Sequence, residues 1–466
     1  MNTSQTQPIT SVDKIKNLLH PLDAIHRKMD LLLTLGQLLM EHGASTSQIQ
    51  HDMIRAAAYM GIPSKNISIH LSYTTLMLNI NDKTHSYTEF CKTLKHGTNT
   101  TTLSILSKLT WKAIENDFTL DEFENRLRNI QKMEPKYPTW VLMLGGGLAC
   151  GAFNLLFGGT ILSAWITTFC TIIAFYVRML CNRWGVNVYI SVAIAAFTGT
   201  MLAYCSHYFA SSTDMLYAMI SCSLFMIPGV PLINAVDDMM SNHIVSGVTR
   251  AIHTALIVGG MAVGIDMALL FDQTSRFSEL SILPTTLYPL QMGAAIVAAA
   301  GFAVIFNTPH RLLWIISLGS VIAIFIRNVL LIYCGFTLPG AVLVAAGIIS
   351  ILMMNLAKPL RTASSVLAIP AVIPMIPGVL LYRFLFFMLQ INHLNPEQLL
   401  HAEQSGVIGI LSVVCIAIGV AAPSIFGQRY LERKKESHLQ NALSKRRNRL
   451  QTYLHQIENA KIQPHT

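Results

Sequence analysis

Met226-Ile227-Pro228-Gly229-Val230 and Met375-Ile376-Pro377-Gly378-Val379 are one motif written twice, 149 residues apart. The same offset carries Ala152-Phe153-Asn154-Leu155-Leu156-Phe157 onto Gly301-Phe302-Ala303-Val304-Ile305-Phe306, Trp165-Ile166 onto Trp314-Ile315, and Arg178 onto Arg327. Each copy holds five hydrophobic segments, and an odd number makes the second copy enter a bilayer from the opposite side. Inverted repeats with interrupted helices at matching positions mark secondary transporters, whose substrate sites lie between the halves near the midplane.

Composition agrees with a membrane setting, since 52% of the 466 residues are hydrophobic and only 12% are charged, the charges gathering at the two ends. Ten segments are long enough to span about 30 Å of hydrocarbon: roughly 141–157, 160–181, 187–208, 215–234, 251–271, 287–306, 311–333, 338–356, 364–389 and 406–425. The expected fold is a polytopic α-helical membrane protein of ten transmembrane helices in two inverted five-helix repeats, with a cytosolic N-terminal α+β domain. Its parts are a cytosolic domain and linker (1–138), the first repeat (139–271), a polar outer linker (272–286), the second repeat (287–427) and a basic cytosolic tail (428–466).

Residues 1–20 lack the apolar core of a cleavable signal peptide, so the amino-terminal region is expected to stay in the cytosol. A net charge of +9 is better explained by topology than by nucleic acid. Arg178, Arg183, Arg250, Arg311, Lys358 and Arg361 then fall in cytoplasmic loops, and Arg276 stands nearly alone outside, as the positive-inside rule requires. The tail from Arg429 to Arg449 (Arg433, Lys434, Lys435, Lys445, Arg446, Arg447) is read as an anchor at anionic headgroups. The eight cysteines form no CxxC pair and mostly lie in apolar segments, where they serve as small core residues.

Before the membrane, Leu22, Ile25, Met29, Leu32, Gly36 and Leu39 keep helical spacing up to Gly43, and Ser45-Thr46-Ser47-Gln48 reads as a capping box opening a second helix to Gly61. Alternation from Ile67 to Ile80 indicates strand, with a bulge or bend at Thr74-Thr75 and a partner near Lys83 to Tyr87. Helices follow around Thr100–Glu115 and from the Thr119 cap to Lys132, and Pro135 and Pro138 form the linker. His42, His51 and His70 form no metal-ligand pattern, and capping accounts for the serines, so neither metal nor cofactor is expected. Gly145-Gly146-Gly147 and Gly158-Gly159 precede no GKS or GKT and are read as helix packing or a tight turn.

Pro228, Gly229 and Pro231 inside an apolar segment remove helix donors and admit a break, and Pro374, Pro377 and Gly378 repeat it, with Pro370 upstream. The dipole ends of broken helices suit an anionic or zwitterionic ligand. Asp237 and Asp238, matched in the second half by Phe386 and Phe387, either bind an amine or coupling proton or are solvated loop residues. Asp266 is a lone acid near the outer end of its span, functional or snorkelling. Arg178 is read as an interfacial anchor, whereas Arg327 should face inward to meet an acid or a substrate carboxylate. Arg383, five residues past the second break, is a comparable clamp. Asn154, Asn234 and Asn328 suit hydrogen bonds between helices.

Gly43-Ala44-Ser45-Thr46, Ala58-Tyr59-Met60-Gly61, Tyr137-Pro138-Thr139-Trp140, Phe157-Gly158-Gly159 and Pro228-Gly229-Val230-Pro231-Leu232-Ile233-Asn234-Ala235-Val236-Asp237-Asp238-Met239 with Arg250 resemble the threonine/serine exporter family. The second half is similar to its smaller companion module, through Gly301-Phe302-Ala303-Val304-Ile305-Phe306-Asn307-Thr308-Pro309, Gly319-Ser320 and Ile369-Pro370-Ala371-Val372-Ile373-Pro374-Met375-Ile376-Pro377-Gly378. The resemblance covers about residues 25–425, with the two modules fused. It implies export across the bacterial inner membrane driven by the proton motive force, of threonine and serine or, as in relatives of the split type, of dicarboxylates such as succinate. Both termini are then cytoplasmic. Expected partners are a small solute, protons and the lipid bilayer, with no nucleic acid; a homo-oligomer is left open. A passive channel or release valve would use the same repeat without coupling, and a membrane-embedded enzyme is a third reading. No nucleotide-binding motif supports primary active transport.

Overall fold

The computed structural model describes residues 21–82, 85–93, 95–206, 212–271, 289–357, 359–360, 362–389 and 395–426, and within the tail 437, 439–441, 443–446, 448–449 and 451–452. The polar linker 272–286, Arg276, Lys358, Arg361, Arg433, Lys434, Lys435 and Arg447 lie outside them, as does the side chain of Phe386. The chain forms two compact units, one of residues 1–97, 105–134 and 428–466, the other of 98–104 and 135–427.

In the first unit, helix α1 (Pro21–Glu41) lies against a three-stranded antiparallel sheet of order β1 (Ile67–Leu71), β2 (Thr75–Asp82), β3 (His85–Lys92). Register runs from Ile67↔Ile80 to Leu71↔Leu76 and from Thr75↔Lys92 to Asp82↔His85. Period-two spacing turns Leu76, Leu78 and Ile80 to one face, where they are buried with Met29, Leu32 and Leu39 of the helix. A Cβ on Gly36 would overlap Leu76 Cδ2, so the glycine sets how closely α1 approaches the sheet. The strand expected from Ile67 to Ile80, with a bulge or bend at Thr74-Thr75, is two strands joined by a tight turn. Ser72 N donates to Thr75 O at 2.8 Å, closing a turn that resets the alternation and gives β2 a partner on each side.

Helix α2 (Thr46–Tyr59) is capped by Ser45, whose Oγ accepts from Gln48 N, and Gly43 and Gly61 take φ of 87° and 81° at the two helix ends. Helices α3 (Thr100–Glu115) and α4 (Leu120–Gln131) follow, the latter opened by a full Thr119/Glu122 capping box. Asp52 is buried against Arg55 at 2.8 Å, and that guanidinium also donates to Thr110 Oγ1 and stacks 4.3 Å over Trp111, tying α2 to α3. The tail departs from the headgroup reading at two positions. Arg446 Nε lies 3.0 Å and Arg449 Nη2 3.4 Å from the Asp117 carboxylate, and Arg446 Nη1 donates to Tyr59 O. A carboxylate held at the turn between α3 and α4, where Asp117 takes φ 51°, competes for these cations.

The second unit is helical throughout: α5 (Thr139–Leu156), α6 (Ile161–Arg183), α7 (Val188–Cys205), α8 (Ser212–Ser221), α9 (Gly229–Met240), α10 (Ile244–Leu269), α11 (Pro289–Ile305), α12 (His310–Ile332), α13 (Leu338–Ala357), α14 (Ser364–Val372), α15 (Gly378–Leu389) and α16 (Pro396–Phe426). Among the described residues, seven helices are long and apolar enough to cross a membrane alone, and Met215–Met226 with Gly229–Met240, bent by 57°, makes an eighth span or a re-entrant loop. Helices α11 and α14 with its following turn are apolar but shorter. The chain is a polytopic helical membrane protein.

Secondary structure obeys the offset of 149. It carries α6 onto α12, the 3-10 turn Leu224–Met226 onto Ile373–Met375 and α9 onto α15, end for end. Packing obeys it too: α7 against α10 is matched by α13 against α16, α6 against α8 by α12 against α14, and α9 against α16 by α15 against α10. Helices α5 and α11, counterparts of each other, pack together, with the Cβ position of Gly145 3.4 Å from Gly301 O. Close packing is thus the use of that glycine. Residues entering α5 are tied to the end of α11: Lys136 N and Tyr137 N donate to Asn307 Oδ1, and Tyr137 Oη to Thr308 O. Thr100 N, on the α3 side, donates to Phe306 O at 3.0 Å.

Candidate functional site

Each break is built the same way. After the 3-10 turn, Pro228 takes φ −78° and ψ 63°, the inverse γ-turn, and Gly229 N bonds back to Ile227 O at 2.8 Å. Gly378 N does likewise to Ile376 O. Proline has no N–H to lose at these positions, and Pro231 lies in the first turn of α9, where helix donors are unpaired in any case. Fresh helices therefore begin at Gly229 and Gly378.

The two breaks face one another. The Cβ position of Gly229 lies 3.1 Å from Ile376 Cδ1, and one on Gly378 would overlap Ile227 Cδ1. Phe153 and Phe302, counterparts under the offset, meet edge to face at 5.7 Å. With Leu224, Ile227, Ile373 and Ile376 they enclose about 10 Å³, room for one water at most. The centre between the halves is closed and apolar.

Polar groups flank this plug. Asn234 and Arg383 are counterparts, each five residues past its break glycine, and both are buried. Asp238 is fully buried at the far end of α9, about 13 Å along the helix from Gly229, and pairs with Arg250 Nε at 3.3 Å, while Ser246 Oγ donates to it at 3.4 Å. It is therefore no solvated loop acid. Asp237 is half-buried on the same helix, and Asp266 is half-buried in the last turn of α10. Arg327 is buried on α12 and donates through Nε and Nη2 to Asn328 Oδ1 at 3.0 and 2.8 Å; Asn328 Nδ2 donates to Gln291 Oε1 on α11 at 2.9 Å. Arg178 is half-buried with its guanidinium 6.0 Å over Phe225, beside the first break. Asn154 bonds Thr167 and Ser163 across α5 and α6, the interhelical use expected of it.

Pro228, Gly229, Pro377 and Gly378 are thus brought together at one centre, whereas Asp238 and Arg250 form a separate cluster. The sequence reading missed Gln291, and it missed His253, whose Nδ1 is 2.8 Å from Tyr189 Oη. Each is a polar residue in an apolar helix, the signal that did single out Asn328. The chemistry is unequal between halves: Asp238, Arg250, His253 and Tyr189 are matched by Phe387, Leu399, Ala402 and Leu338.

Comparison with known proteins follows the same division. A family model described as a threonine/serine exporter (ThrE) matches residues 30–271, and a second, described as "Threonine/Serine exporter, ThrE", matches 291–426. A "Threonine/serine exporter" of Corynebacterium glutamicum is 23% identical over 422 residues, 86% of this chain and 81% of that protein. A "Probable succinate transporter subunit YjjP" of Klebsiella aerogenes is 28% identical over 233 residues, 50% of this chain and 88% of that one. The protein of that name from Escherichia coli (strain K12) is 28% identical over 240 residues, 51% and 92% of the two chains. No solved structure gives a significant match. With both halves matched in order along the chain, and the two breaks at its centre, this multi-pass membrane protein belongs to the threonine/serine exporter family.

Proposed function

We propose that the chain is a secondary exporter of small carboxylate-bearing metabolites, threonine/serine-type amino acids or dicarboxylates such as succinate, driven by the proton motive force across the bacterial inner membrane. The observation that carries the reading is the pair of facing breaks, each made by the same motif and packed by exchanged contacts. A barrier only a few side chains thick, at the meeting point of two equivalent halves, suits alternating access. Names borne by the relatives supply the cargo class, since succinate, threonine and serine share a carboxylate.

Ten spans in two inverted halves, with both termini cytoplasmic, are part of the proposal. In support, Asn307 and Thr308, which follow α11, are bonded to the residues that enter α5, so α11 ends on the face where α5 begins. Coupling is assigned to Asp238. Its protonation would release Arg250 from the ion pair, and a substrate carboxylate could then take the acid's place; Asp237 is the neighbouring acid on the same helix. Asn234, Pro231, Asp266 and Arg383 complete the expected path.

The test is efflux from cells preloaded with labelled threonine, serine or succinate, with and without a protonophore. Coupled export predicts protonophore-sensitive efflux of one solute, lost in Asp238→Asn. Efflux that only follows the gradient and ignores the protonophore would replace the exporter by a channel.

A further inference from the structure

Under the offset, Arg327 matches Arg178, while Asn328 matches Met179 and Gln291 matches Leu142. The halves share the arginine and differ in what holds it. Arg327, Asn328 and Gln291 are 9%, 0% and 5% exposed. An arginine only donates, so the Asn328 amide must present its oxygen to the guanidinium and its NH₂ to Gln291 Oε1. This two-amide relay, running from α12 to α11, holds the arginine without neutralising it. Among the described residues its hydrogen-bond partner is an amide and not a carboxylate. Asn328 occupies the Nε/Nη2 edge, which leaves the Nη1/Nη2 edge, itself able to give two parallel bonds to a carboxylate. A buried charge held in place by neutral groups is arranged for an anion that comes and goes, because a resident carboxylate would close the site. The first half has no such holder, since Met179 and Leu142 cannot hydrogen-bond the Arg178 guanidinium.

We infer that Arg327, oriented by Asn328 and Gln291, is a carboxylate-binding site of the transport path, taking one carboxylate of the solute on its Nη1/Nη2 edge. Arg327 is the binding residue; Asn328 and Gln291 are positioning residues. The inference rests on the exporter reading and deepens it, for it predicts that a solute needs a free carboxylate and adds an anion-binding arginine in the second repeat to the Arg250 that protonation of Asp238 would release in the first.

The experiment is equilibrium binding of labelled succinate and labelled threonine to the purified full chain in detergent, with succinamide and threonine methyl ester as competitors lacking the carboxylate. Arg327→Gln should weaken binding about tenfold to a hundredfold, and Arg327→Lys less, as expected for a charge-assisted pair. Asn328→Asp keeps the side-chain shape, puts a carboxylate permanently on Arg327, and should weaken binding as much while raising thermal stability. Gln291→Leu with Asn328→Met, which installs the first repeat's residues, should raise KM for efflux from proteoliposomes with little change in Vmax. Wild-type affinity in both Arg327→Gln and Asn328→Asp, or effective competition by the ester and amide, overturns the site even if export persists. Arg327-dependent binding without export would support the site and remove the exporter reading instead.

Discussion

Gly378→Ala should damage the protein where Gly229→Ala does not, although the two positions are equivalent in sequence. Either substitution gains up to about 1 kcal/mol of helix propensity, and neither glycine has a positive φ. The difference is the space each methyl meets. At Gly229 it would lie 3.1 Å from Ile376 Cδ1 and 3.4 Å from Ile373 Cγ1, contacts relieved by shifts of a few tenths of an ångström. At Gly378 it would overlap Ile227 Cδ1, with Leu224 Cδ2 at 3.4 Å behind, and only about 10 Å³ is open nearby. Overpacking of this kind costs about 1–3 kcal/mol. Net of propensity, Gly378→Ala should lose about 1–2 kcal/mol and Gly229→Ala about none. Ile227→Val deletes the Cδ1 atom itself, so the double variant Ile227→Val/Gly378→Ala should recover most of the loss. Thermal unfolding of the five purified proteins (wild type, the three single variants and the double variant) in one detergent measures this cycle. Equal effects of the two alanines, or no rescue by valine, would show that the breaks do not meet as described. In the proposed exporter the same contact would close the path, and each 1.36 kcal/mol is tenfold in an equilibrium. Gly378→Ala should therefore also favour the parted arrangement roughly tenfold, read as faster modification of a cysteine introduced at Ile227.

Removing Asp238 by Asn should abolish coupling in efflux assays while a chain with Ser246→Ala, which loses only a 3.4 Å hydrogen bond, keeps most of it. Thr119→Ala removes a complete capping box and should cost about 0.5–2 kcal/mol in unfolding of the full chain by denaturant. Arg446→Gln with Arg449→Gln should free the tail from Asp117, seen as faster proteolysis of residues 428–466, and high salt should mimic it in part. The Arg27 guanidinium, hydrogen-bonded to Glu124, holds that carboxyl below its ordinary value. A depressed carboxylate stabilises above its unfolded value and the gain is lost as pH falls through the folded one, so stability should drop below about pH 4.5 and Arg27→Ala should flatten that drop.

Much of the architecture was legible because it is periodic. Helix ends at Gly43 and Gly61 and the cap at Thr119 are local decisions of a few residues, and the breaks at Pro228 and Pro377 follow from a missing N–H. The repeat converted one half into a test of the other. The turn at Ser72–Thr75 reads from sequence as a bulge or a bend because a short turn and a bulge both shift the alternation. The headgroup reading of Arg446 and Arg449 missed Asp117 because charge runs do not announce their partners at long separation. Asp238 could not be told from a loop residue until α9 was seen to continue past it. Gln291 was hidden for a similar reason, since only the crossing of α11 with α12 brings its amide to Asn328.

The meeting of Phe153 with Phe302 has a consequence for how the two halves can drift apart. These rings are each other's image, so they sit where the molecule maps onto itself, as a self-complementary patch does in a twofold dimer. A side chain there is its counterpart's wall, and a change in one copy is felt at once by the other. Away from that line no such reciprocity holds. Asp238 can stand where the other copy has Phe387, and Arg327 can keep an amide relay that Arg178 lacks. Symmetry is enforced along the line where the two copies meet, and individuality is free to accumulate at the periphery, where the proposed cargo and proton sites lie.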